Sequence, residues 1–446
     1  MQVFDLHSKK QLCHKALVIG YGVTGKAVVD FLINHTTIEV FVGNNGPVSL
    51  WQGELSDRID YFDLSDTESL KKYADECDFI MRSPGVDPRK FANLALWEKE
   101  VGEIELAYQY LVANTEKENF PKIIAITGTN GKTTTVSLLD YALKKAKINS
   151  FLGGNVGTPF IQLFENKSWR KTEAIVLELS SFQTEQLDTF FANSVAILNL
   201  TPSHEERYDR VEDYYQAKIN LISHVDIKNF FYLNSNTELI QDLNPKTQLI
   251  AENGLGLKEK IEKVQALKES LDLIGDHNLI NALFCFCLIE AAGLEVSSSD
   301  FAGFYGVTYR LQKLQVPSNR IIYNDAKSTN QDASLIALSS MQINYPQFHF
   351  IMGGQLRDKT IDFTRLFSEI KNSAKLHFFG ESKDELIRHA KKFQLSCSTY
   401  EKLDEVIKVL EEDDLPVLFS PGFPSFDQYK NYVKRGEHFS LLAETL

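Results

Sequence analysis

Cysteine, tryptophan and methionine are scarce in this chain of 446 residues, which contains five, three and four of them respectively. The cysteines are scattered and odd in number, and none of them forms a CxxC pair. This pattern favours a reducing compartment. Cys285 and Cys287 lie in an apolar, helix-like run, so we expect them to be part of the core rather than ligands.

Three further absences limit the possible functions. No uninterrupted apolar run reaches about 18 residues, and the first residues lack a charged segment followed by an apolar one. We therefore expect a cytoplasmic protein without membrane insertion. A basic stripe is also missing, and the net charge of −13 argues against nucleic-acid binding, although a local pocket could still hold an anionic substrate. No coiled coil or interface signature is evident, which favours a monomer.

The most informative segment runs from Ile123 to Thr134 and reads IIAITGTNGKTT. An apolar strand leads into a glycine-rich turn that opens a helix, and backbone N–H groups in such a turn can hold phosphate oxygens. Lys132 can reach the terminal phosphates, and the Thr133 hydroxyl can ligate Mg²⁺. Ile126 stands where the general phosphate-loop pattern has glycine. The segment predicts an enzyme that uses ATP.

A second glycine-rich turn, Gly20–Gly25, follows the strand pattern Ala16–Gly20 and precedes a helical run. This GxGxxG context is typical of nucleotide-binding α/β units. The next strand pattern, Ile38–Val42, is followed by Gly-Asn-Asn and not by the acidic residue that holds the ribose of NAD. The turn therefore disfavours an NAD-dependent oxidoreductase and leaves open another nucleotide diphosphate.

Alternating strand and helix patterns predict an α/β protein with parallel sheets, and the length suggests about two to four domains. A polar, proline-bearing stretch at 112–122 indicates a linker. We predict domains at 1–112, 113–306 and 307–446. Further strand patterns lie at Cys77–Gly85, Ala174–Leu179, Ser194–Leu200, Arg320–Tyr323, Phe348–Met352, Leu376–Phe379 and Pro416–Ser420.

Three ionisable residues, two near strand ends and one in a helix, are candidates for chemistry. Glu178 ends an apolar strand pattern, so it is either a Mg²⁺ ligand beside the phosphate loop or a paired carboxylate at a sheet edge. His204 lies in a polar loop, and Lys218 lies in a helical run. Taken alone, each of these two is typical of a solvated surface, and they gain weight only in combination.

Two polar groups of residues occur further along the chain. Asn278 and Asn281 are spaced to lie on one face of a helix, where their amides suit an adenine or a ribose, or mark an ordinary helix start. The stretch Asn324–Asn330 follows a strand pattern and is dense in polar side chains, which indicates a binding loop.

Taken together, these motifs resemble the Mur ligase family over essentially the whole chain. The motifs in family order are Gly128–Thr134, Gly153–Gly157, Glu178, His204, Lys218, His277–Asn281, Tyr309–Arg310 and Asn324–Asn330. Within the family, the D-glutamate-adding branch is the most similar, on the stretches Glu178–Gln183, Asn324–Asn330 and Ser420–Gln428.

The resemblance implies an N-terminal Rossmann-like domain for a UDP-sugar, a central P-loop ATPase-like domain and a C-terminal Rossmann-like domain for the amino acid. It implies a cytoplasmic step of peptidoglycan precursor synthesis: ATP-dependent ligation of D-glutamate to UDP-N-acetylmuramoyl-L-alanine through an acyl phosphate, giving ADP and phosphate. A Mur-type ligase for another amino acid and a non-catalytic nucleotide-sensing homologue stay open as alternatives.

The resemblance also implies site residues. Thr133 and Glu178 would hold one Mg²⁺, and His204 and a Lys218 carbamylated by CO₂ would hold a second. ATP would contact Gly128, Thr129, Asn130, Gly131, Lys132, Thr133, Thr134, Asn278, Asn281, Arg310 and Asp325. The other substrates would contact Val23, Thr24, Asn44, Ser83, Gly85, Asn155, Lys327, Thr329, Ser425 and Tyr432.

The side-chain carboxylate of D-glutamate would be bound by either Arg357 or Lys359. The turn that carries them, Gly353–Lys359, is longer than the family's glycine-lysine turn, and Phe423-Pro424 replaces a smaller family sequence. These two departures concern the choice of amino acid more than the reaction type.

Overall fold

Alternating strands and helices build three sheets, and these sheets belong to two compact units. The first unit holds Met1–Glu269 and Asn281–Phe301, and the second holds Ser270–Ile280 and Ala302–Leu446. The α/β class predicted from the sequence is confirmed, whereas the domain boundaries at 112 and 306 stay predictions. This computed structural model describes residues 1–5, 8–53, 56–94, 96–201, 207–233, 248–250, 266–267, 269–274, 276–356, 363–370 and 373–446.

The first sheet contains four parallel strands in the order β3-β2-β1-β4. Its elements are β1 (Lys15–Ile19), α1 (Val23–His35), β2 (Glu39–Asn44), β3 (Ile59–Asp63), α2 (Thr67–Glu76) and β4 (Phe79–Arg82), followed by α3 (Glu103–Ala113). The strand order reverses between β1 and β4, and open α/β sheets bind ligands at such a reversal. Gly20 and Ser83 lie there, and the Ser83 hydroxyl donates to the Gly20 carbonyl at 2.8 Å.

The second sheet contains six parallel strands in the order β10-β9-β8-β5-β7-β6. Its elements are β5 (Lys122–Thr127), α4 (Lys132–Lys145), β6 (Ser150–Gly154), β7 (Ala174–Glu178), α5 (Ser181–Thr184), β8 (Ser194–Ile197), α6 (Val211–Ile219), β9 (Phe230–Leu233), β10 (Gln248–Ile250) and α7 (Asp276–Ala291). Strands β7 and β8 are buried along their whole length, which explains their continuous apolar pattern. Cys285 and Cys287 on α7 are buried, as predicted.

One apolar core joins the first two sheets, which explains why they form a single unit. Phe31 on α1 packs edge-on against Tyr110 on α3, with ring centroids 4.8 Å apart. Tyr110 in turn lies 4.7 Å from Phe164 in the second sheet's layer. The buried Glu105 carboxylate accepts the backbone N–H groups of Asp188 and Phe190, each at 3.0 Å. Aromatic packing and one buried carboxylate therefore fix α3 on the central sheet.

The third sheet has the order β11-β12-β16-β13-β14-β15, and within it only the β11–β12 pair is antiparallel among the described strands. Its elements are β11 (Gln312–Lys313), β12 (Ile322–Asn324), α8 (Gln331–Asn344), β13 (Phe348–Gly353), α9 (Thr364–Glu369), β14 (Ala374–Phe379), α10 (Lys383–Lys392), β15 (Cys397–Tyr400), α11 (Leu403–Leu410), β16 (Val417–Phe419) and α12 (Tyr432–Ala443). None of the helices described in either unit combines the length and apolar character needed to cross a bilayer.

A hydrogen-bond relay through two buried histidines crosses β13, β14 and β15 of the third sheet. His349 Nε2 lies 2.8 Å from Asp413 Oδ1, and His349 Nδ1 lies 2.8 Å from His377 Nε2. His377 Nδ1 lies 3.2 Å from the Tyr400 hydroxyl. Because an ionised carboxylate can only accept, each donor follows in turn: His349 to Asp413, His377 to His349, and Tyr400 to His377. The relay is complete with both imidazoles neutral.

We expect this relay to make the second unit sensitive to acid. Burial, with the nearby charges of His349 and Lys375, lowers the pKa of His377 to about 4, and burial also lowers the pKa of His349, although Asp413 opposes this. Unfolded histidine titrates at about pH 6.5, so the contribution of His377 to stability is full above that pH and falls by up to about 1.4 kcal/mol for each pH unit down towards 4. The contribution of His349 falls in the same direction. Arg320, which pairs with Asp413, is a further charged neighbour of the relay.

Hydrogen exchange of peptides covering β13 and β14, corrected for the intrinsic effect of pH, measures this stability. The variant His377→Gln keeps one donor and one acceptor but cannot titrate, so its protection should change less between pH 7 and 5 than that of the unmodified chain. Exposed His14→Gln, in the first unit, is the control. Equal pH dependence in all three proteins would contradict the prediction.

Candidate active site

The phosphate loop connects β5 to α4 through two glycines in conformations that other residues rarely adopt. Gly128 has φ +145° and Gly131 has φ +83°. Lys132, the first residue of α4, folds back so that its Nζ donates to the carbonyl oxygens of Gly128 at 2.8 Å and Thr129 at 3.0 Å. The lysine is thereby held over the turn that precedes the helix, where its charge adds to the positive end of the α4 dipole.

A buried carboxylate lies beside this loop. Glu178, the last residue of β7, is 2% exposed, and β7 pairs with β5 so that Ile126 lies opposite Glu178. The Thr133 hydroxyl donates to Glu178 Oε2 at 2.8 Å, and Asn155 Nδ2 donates to Oε1 at 2.8 Å. Both carboxylate oxygens are therefore held by neutral donors. Among the described residues Glu178 forms no ion pair, and the choice between a Mg²⁺ ligand and a paired carboxylate stays a prediction.

Lys218 on α6 is 2% exposed, in contrast to the solvated position typical of an isolated helix lysine. Its Nζ donates to the Gly128 carbonyl at 3.0 Å and lies 4.8 Å from the centre of the Tyr214 ring. Burial, with repulsion from Lys132, lowers the pKa of Lys218 to about 7, although Glu178 acts in the opposite direction. The Lys218 amine is therefore close to neutrality beside the phosphate loop.

The remaining predicted residues around the loop are distributed as follows. Thr134 lies in the first turn of α4, and the Thr129 hydroxyl lies 3.1 Å from that of Tyr214. The Asn130 N–H donates to the Asn199 side chain at 2.8 Å. Asn281 is buried, and a side chain at Gly131 would meet it at 3.2 Å. His204, a predicted metal ligand, lies outside the described residues.

A cleft of about 500 Å³ opens at the strand-order reversal of the first sheet. The cleft extends to Asn155, whose amide holds Glu178, so the GxGxxG turn and the phosphate-loop carboxylate share one continuous region of the first unit. All six predicted residues of this region line it: Val23, Thr24, Asn44, Ser83, Gly85 and Asn155.

The second unit carries another polar group at the carboxyl ends of β12 and β16. Asp325 is 9% exposed, and burial raises its pKa to about 7 against the hydrogen bonds that it accepts from the Ser420 hydroxyl at 2.7 Å and the Leu311 N–H at 3.0 Å. The charge of Arg310 also acts on Asp325. A protonated Asp325 can donate a hydrogen bond, whereas an ionised one can only accept.

The residues of the second unit that are predicted to bind the amino acid, and Asn278, which is predicted to bind ATP, are only partly brought together. Lys327 Nζ lies 5.6 Å from the centre of the Tyr432 ring. Ser425 is buried, Thr329 is exposed, and the buried Asn278 donates through Nδ2 to the Ile274 carbonyl at 2.7 Å. Arg357 and Lys359 lie outside the described residues, so the choice between them stays open.

Comparisons with known proteins identify the family. A family model described as the Mur ligase middle domain matches residues 126–289, and one described as the MurD N-terminal domain matches residues 15–91. Together these matches cover more than half of the chain. The chain belongs to the Mur ligase family.

Relatives of this Mur ligase match over its full length. UDP-N-acetylmuramoylalanine--D-glutamate ligase of Francisella tularensis subsp. tularensis (strain WY96-3418) is 28% identical over 453 residues, which cover 100% of this chain and 99% of the relative. The protein of the same name from subsp. novicida (strain U112) is 29% identical with the same coverage.

Solved structures share the fold of this Mur ligase at lower identity. MurF from Thermotoga maritima in complex with ADP has a TM-score of 0.55 at 17% identity, covering 100% of this chain and 97% of that one. MurC from the same organism has a TM-score of 0.54 at 17% identity, covering 97% and 100%.

Reasoning from the sequence of this Mur ligase missed several residues of the site. Tyr21 and Gln183 line the cleft, and Tyr214 faces Lys218. A signal for Gln183 was available, because Ser180 and Gln183 form a capping box at the start of α5, directly after Glu178. Tyr21 lies inside the GxGxxG turn, next to the predicted Val23 and Thr24.

Proposed function

We propose that this Mur ligase joins D-glutamate to UDP-N-acetylmuramoyl-L-alanine and uses ATP to do so. The observation that carries the ligase chemistry is the group of Lys132, Thr133, Glu178 and Lys218 around one glycine-rich turn, in which all but the half-buried Lys132 are buried. The choice of D-glutamate is supported by the full-length relatives that bear this name and by the match to the MurD N-terminal domain.

The residues around the phosphate loop fit a magnesium nucleotide. The Thr133 hydroxyl and the Glu178 carboxylate are hard oxygen donors that already lie 2.8 Å apart, and Mg²⁺ prefers such donors together with phosphate oxygens. Lys132 presently bonds two carbonyl oxygens, and phosphate oxygens would be stronger partners for its ammonium. When ATP and Mg²⁺ bind, the loop would hold the phosphates through Gly128, Thr129, Asn130, Gly131 and Thr134.

ATP would supply the phosphoryl group that converts the alanyl carboxylate into an acyl phosphate, with release of ADP, and the D-glutamate amine would then attack the acyl carbon with loss of phosphate. Bound Mg²⁺ would balance the charge of the phosphates. The role of the protein is to position the reacting groups and to balance charge, since phosphoryl transfer needs little else from a protein. Lys132 would balance the charge that develops on the phosphates, and Asn155 would orient Glu178 while it borders the substrate cleft.

A carbamate on Lys218 is the second part of the proposal. An ammonium would repel a metal ion, so Lys218 suits a metal site only if its charge is reversed. CO₂ forms a bond to the nitrogen of a neutral amine, which releases one proton and becomes a carboxylate-like carbamate anion. Burial of Lys218 favours the neutral amine that this addition requires. With His204, the carbamate would hold a second Mg²⁺.

Substrate positions follow the same proposal. The cleft lined by Ser83, Gly85 and the turn around Val23, Thr24 and Asn44 would take the nucleotide sugar. In the second unit, Asn278, Arg310 and Asp325 would contact nucleotide, as would Asn281 in the first. Lys327, Thr329, Ser425, Tyr432 and either Arg357 or Lys359 would bind D-glutamate. A cytoplasmic location and a monomeric state are further proposals that rest on the sequence.

Phosphate release across a panel of amino acids tests the proposal. With ATP, Mg²⁺ and UDP-N-acetylmuramoyl-L-alanine, we expect turnover with D-glutamate and none with L-glutamate, meso-diaminopimelate, L-lysine or L-alanine. Turnover with a different amino acid would keep the mechanism and replace the acceptor. Nucleotide binding without turnover on any acceptor would instead support a non-catalytic sensor.

A further inference from the structure

Arg310 is flanked by two residues in a backbone conformation that few side chains adopt. Tyr309 has φ +63° and Leu311 has φ +46°, and neither residue is glycine. Left-handed backbone costs about 1–2 kcal/mol for an ordinary residue, so it persists only where the surroundings hold it. Within the described part of the chain, the half-buried Arg310 guanidinium has no side-chain hydrogen bond or ion pair. The strained turn therefore presents a guanidinium with unused donors.

Backbone hydrogen bonds hold this turn against the Asp325 loop. The Lys327 N–H donates to the Tyr309 carbonyl at 3.0 Å, and the Leu311 N–H donates to Asp325 Oδ1 at 3.0 Å. The Arg310 N–H donates to the Val307 carbonyl at 2.9 Å. These bonds hold the backbone of the turn. The packing of the Tyr309 ring is a further contact that affects how the turn is oriented.

The Tyr309 ring lies where Gly436 of α12 has no side chain. A Cβ at Gly436 would lie 2.4 Å from Cδ1, 2.7 Å from Cε1 and 2.8 Å from Cγ of that ring. Real Cβ atoms do not approach other atoms so closely, so no side chain fits unless the ring moves. Gly436 is helical and needs no special backbone conformation, so its role here is the space that it leaves.

Two buried hydrogen bonds hold α12 at Gly436 next to the loop that contains Asp325. Asn324 Nδ2 donates to the Gly436 carbonyl at 3.0 Å, and Arg435 Nη2 donates to the Ala326 carbonyl at 2.9 Å. Helix α12, the Asp325 loop and the Arg310 turn are thus connected at residues far apart in sequence. A shift of the ring would move the turn relative to Asp325.

We propose that Tyr309 and Gly436 are a pair of positioning residues that set the Arg310 guanidinium for a nucleotide phosphate or ribose. This inference rests on the proposed function, which makes a nucleotide the ligand of Arg310. Neither residue touches the reacting atoms, so both act through Arg310.

The test compares KM for ATP with kcat and with KM for the nucleotide sugar in six variants, together with calorimetric titration of ADP and Mg²⁺. Tyr309→Ala and Gly436→Ala should each raise KM for ATP and the dissociation constant of ADP by about tenfold or more, while KM for the nucleotide sugar changes less than about twofold. Tyr309→Phe keeps the ring and should keep the nucleotide affinity. Leu441→Ala, on the exposed face of the same helix, is the control.

The double variant Tyr309→Ala/Gly436→Ala provides the sharpest result. Without the ring, a Cβ at 436 has room, so the double variant should bind nucleotide no worse than Tyr309→Ala alone. Additive losses would overturn the proposed pairing, as would unchanged nucleotide affinity in both single variants. If Gly436→Ala fails to fold, Tyr309→Ala and Tyr309→Phe decide, because they introduce no clash.

Arg310→Ala separates this inference from the proposed function. A loss of nucleotide affinity in Arg310→Ala, with none in the Tyr309 and Gly436 variants, would overturn only the positioning role. No loss in Arg310→Ala would overturn both this inference and the nucleotide role of Arg310. If no acceptor supports turnover, the ligase proposal fails, and the ADP titration still tests the pair.

Discussion

Lys218→Ala is expected to lower kcat by about a thousandfold, because the proposed second magnesium site would lose its carbamate ligand. A metal contact at a transferring phosphoryl group is worth several kcal/mol, and about 1.4 kcal/mol corresponds to a tenfold change in rate. The side chain is buried against the phosphate loop, where its amine donates to the Gly128 carbonyl at 3.0 Å.

Chemical rescue distinguishes a carbamate from an ordinary buried lysine. Alanine leaves a space beside Gly128 and Thr127 that a small carboxylic acid can enter, so acetate should restore part of the activity of Lys218→Ala. Lys218→Met fills the same space without an amine, and acetate should not restore it. Lys145→Ala, at the exposed end of α4, should retain full activity.

Direct detection completes this test. The protein without substitutions, equilibrated with ¹³C-labelled bicarbonate, should show a carbamate signal that is missing from Lys218→Met. Its activity should fall in buffer depleted of CO₂. Activity of Lys218→Ala within tenfold of the unmodified chain would refute the metal-ligand role. Loss of activity without a carbamate signal would leave the lysine important but refute the carbamate.

Glu178→Gln is expected to lower kcat by at least about a hundredfold while the protein stays folded. The substitution keeps the size of the side chain and can keep both hydrogen bonds, since the Thr133 hydroxyl can accept from an amide as well as donate. What it removes is the negative charge that a divalent cation needs, a contribution of several kcal/mol.

Magnesium titration shows whether that charge acts through a metal. Glu178→Gln should require more Mg²⁺ for half-maximal activity, and part of its lost activity should return at high Mg²⁺. Glu178→Ala also frees Thr133 and Asn155, so it should be less active and less stable than Glu178→Gln. Exposed Glu118→Gln is the charge-matched control, and an unchanged magnesium requirement in Glu178→Gln would show that Glu178 only supports the fold.

The sequence by itself determined which residues surround the phosphate loop at the strand ends. Lys132 and Thr133 follow a glycine turn after a strand, and Glu178 ends another strand. Because carboxyl ends of neighbouring parallel strands meet at one edge, these residues were expected together, and the Thr133–Glu178 hydrogen bond of 2.8 Å confirms their proximity. Such local patterns encode the element type, its direction and the turn that ends it, which is enough to place residues at strand ends.

Strands without an apolar run escaped prediction. β3 reads Ile-Asp-Tyr-Phe-Asp at the edge of the first sheet, and β6 ends in Gly153-Gly154 at the edge of the second. An edge strand needs to bury little, so its sequence carries a weak signal. These two strands form because they pair with neighbouring strands of the sheet, and their own sequences do not indicate this pairing.

Tertiary structure alone decided the environment of single side chains. Nothing local distinguishes Lys218 from a solvated helix lysine, and its burial depends on α6 packing beside the phosphate loop. Gly436 and Tyr309 are likewise ordinary in sequence, and only the fold brings an α12 backbone against that ring. Sequence patterns report the periodicity of one element, whereas burial, pKa and close approach depend on contacts between elements far apart in the chain.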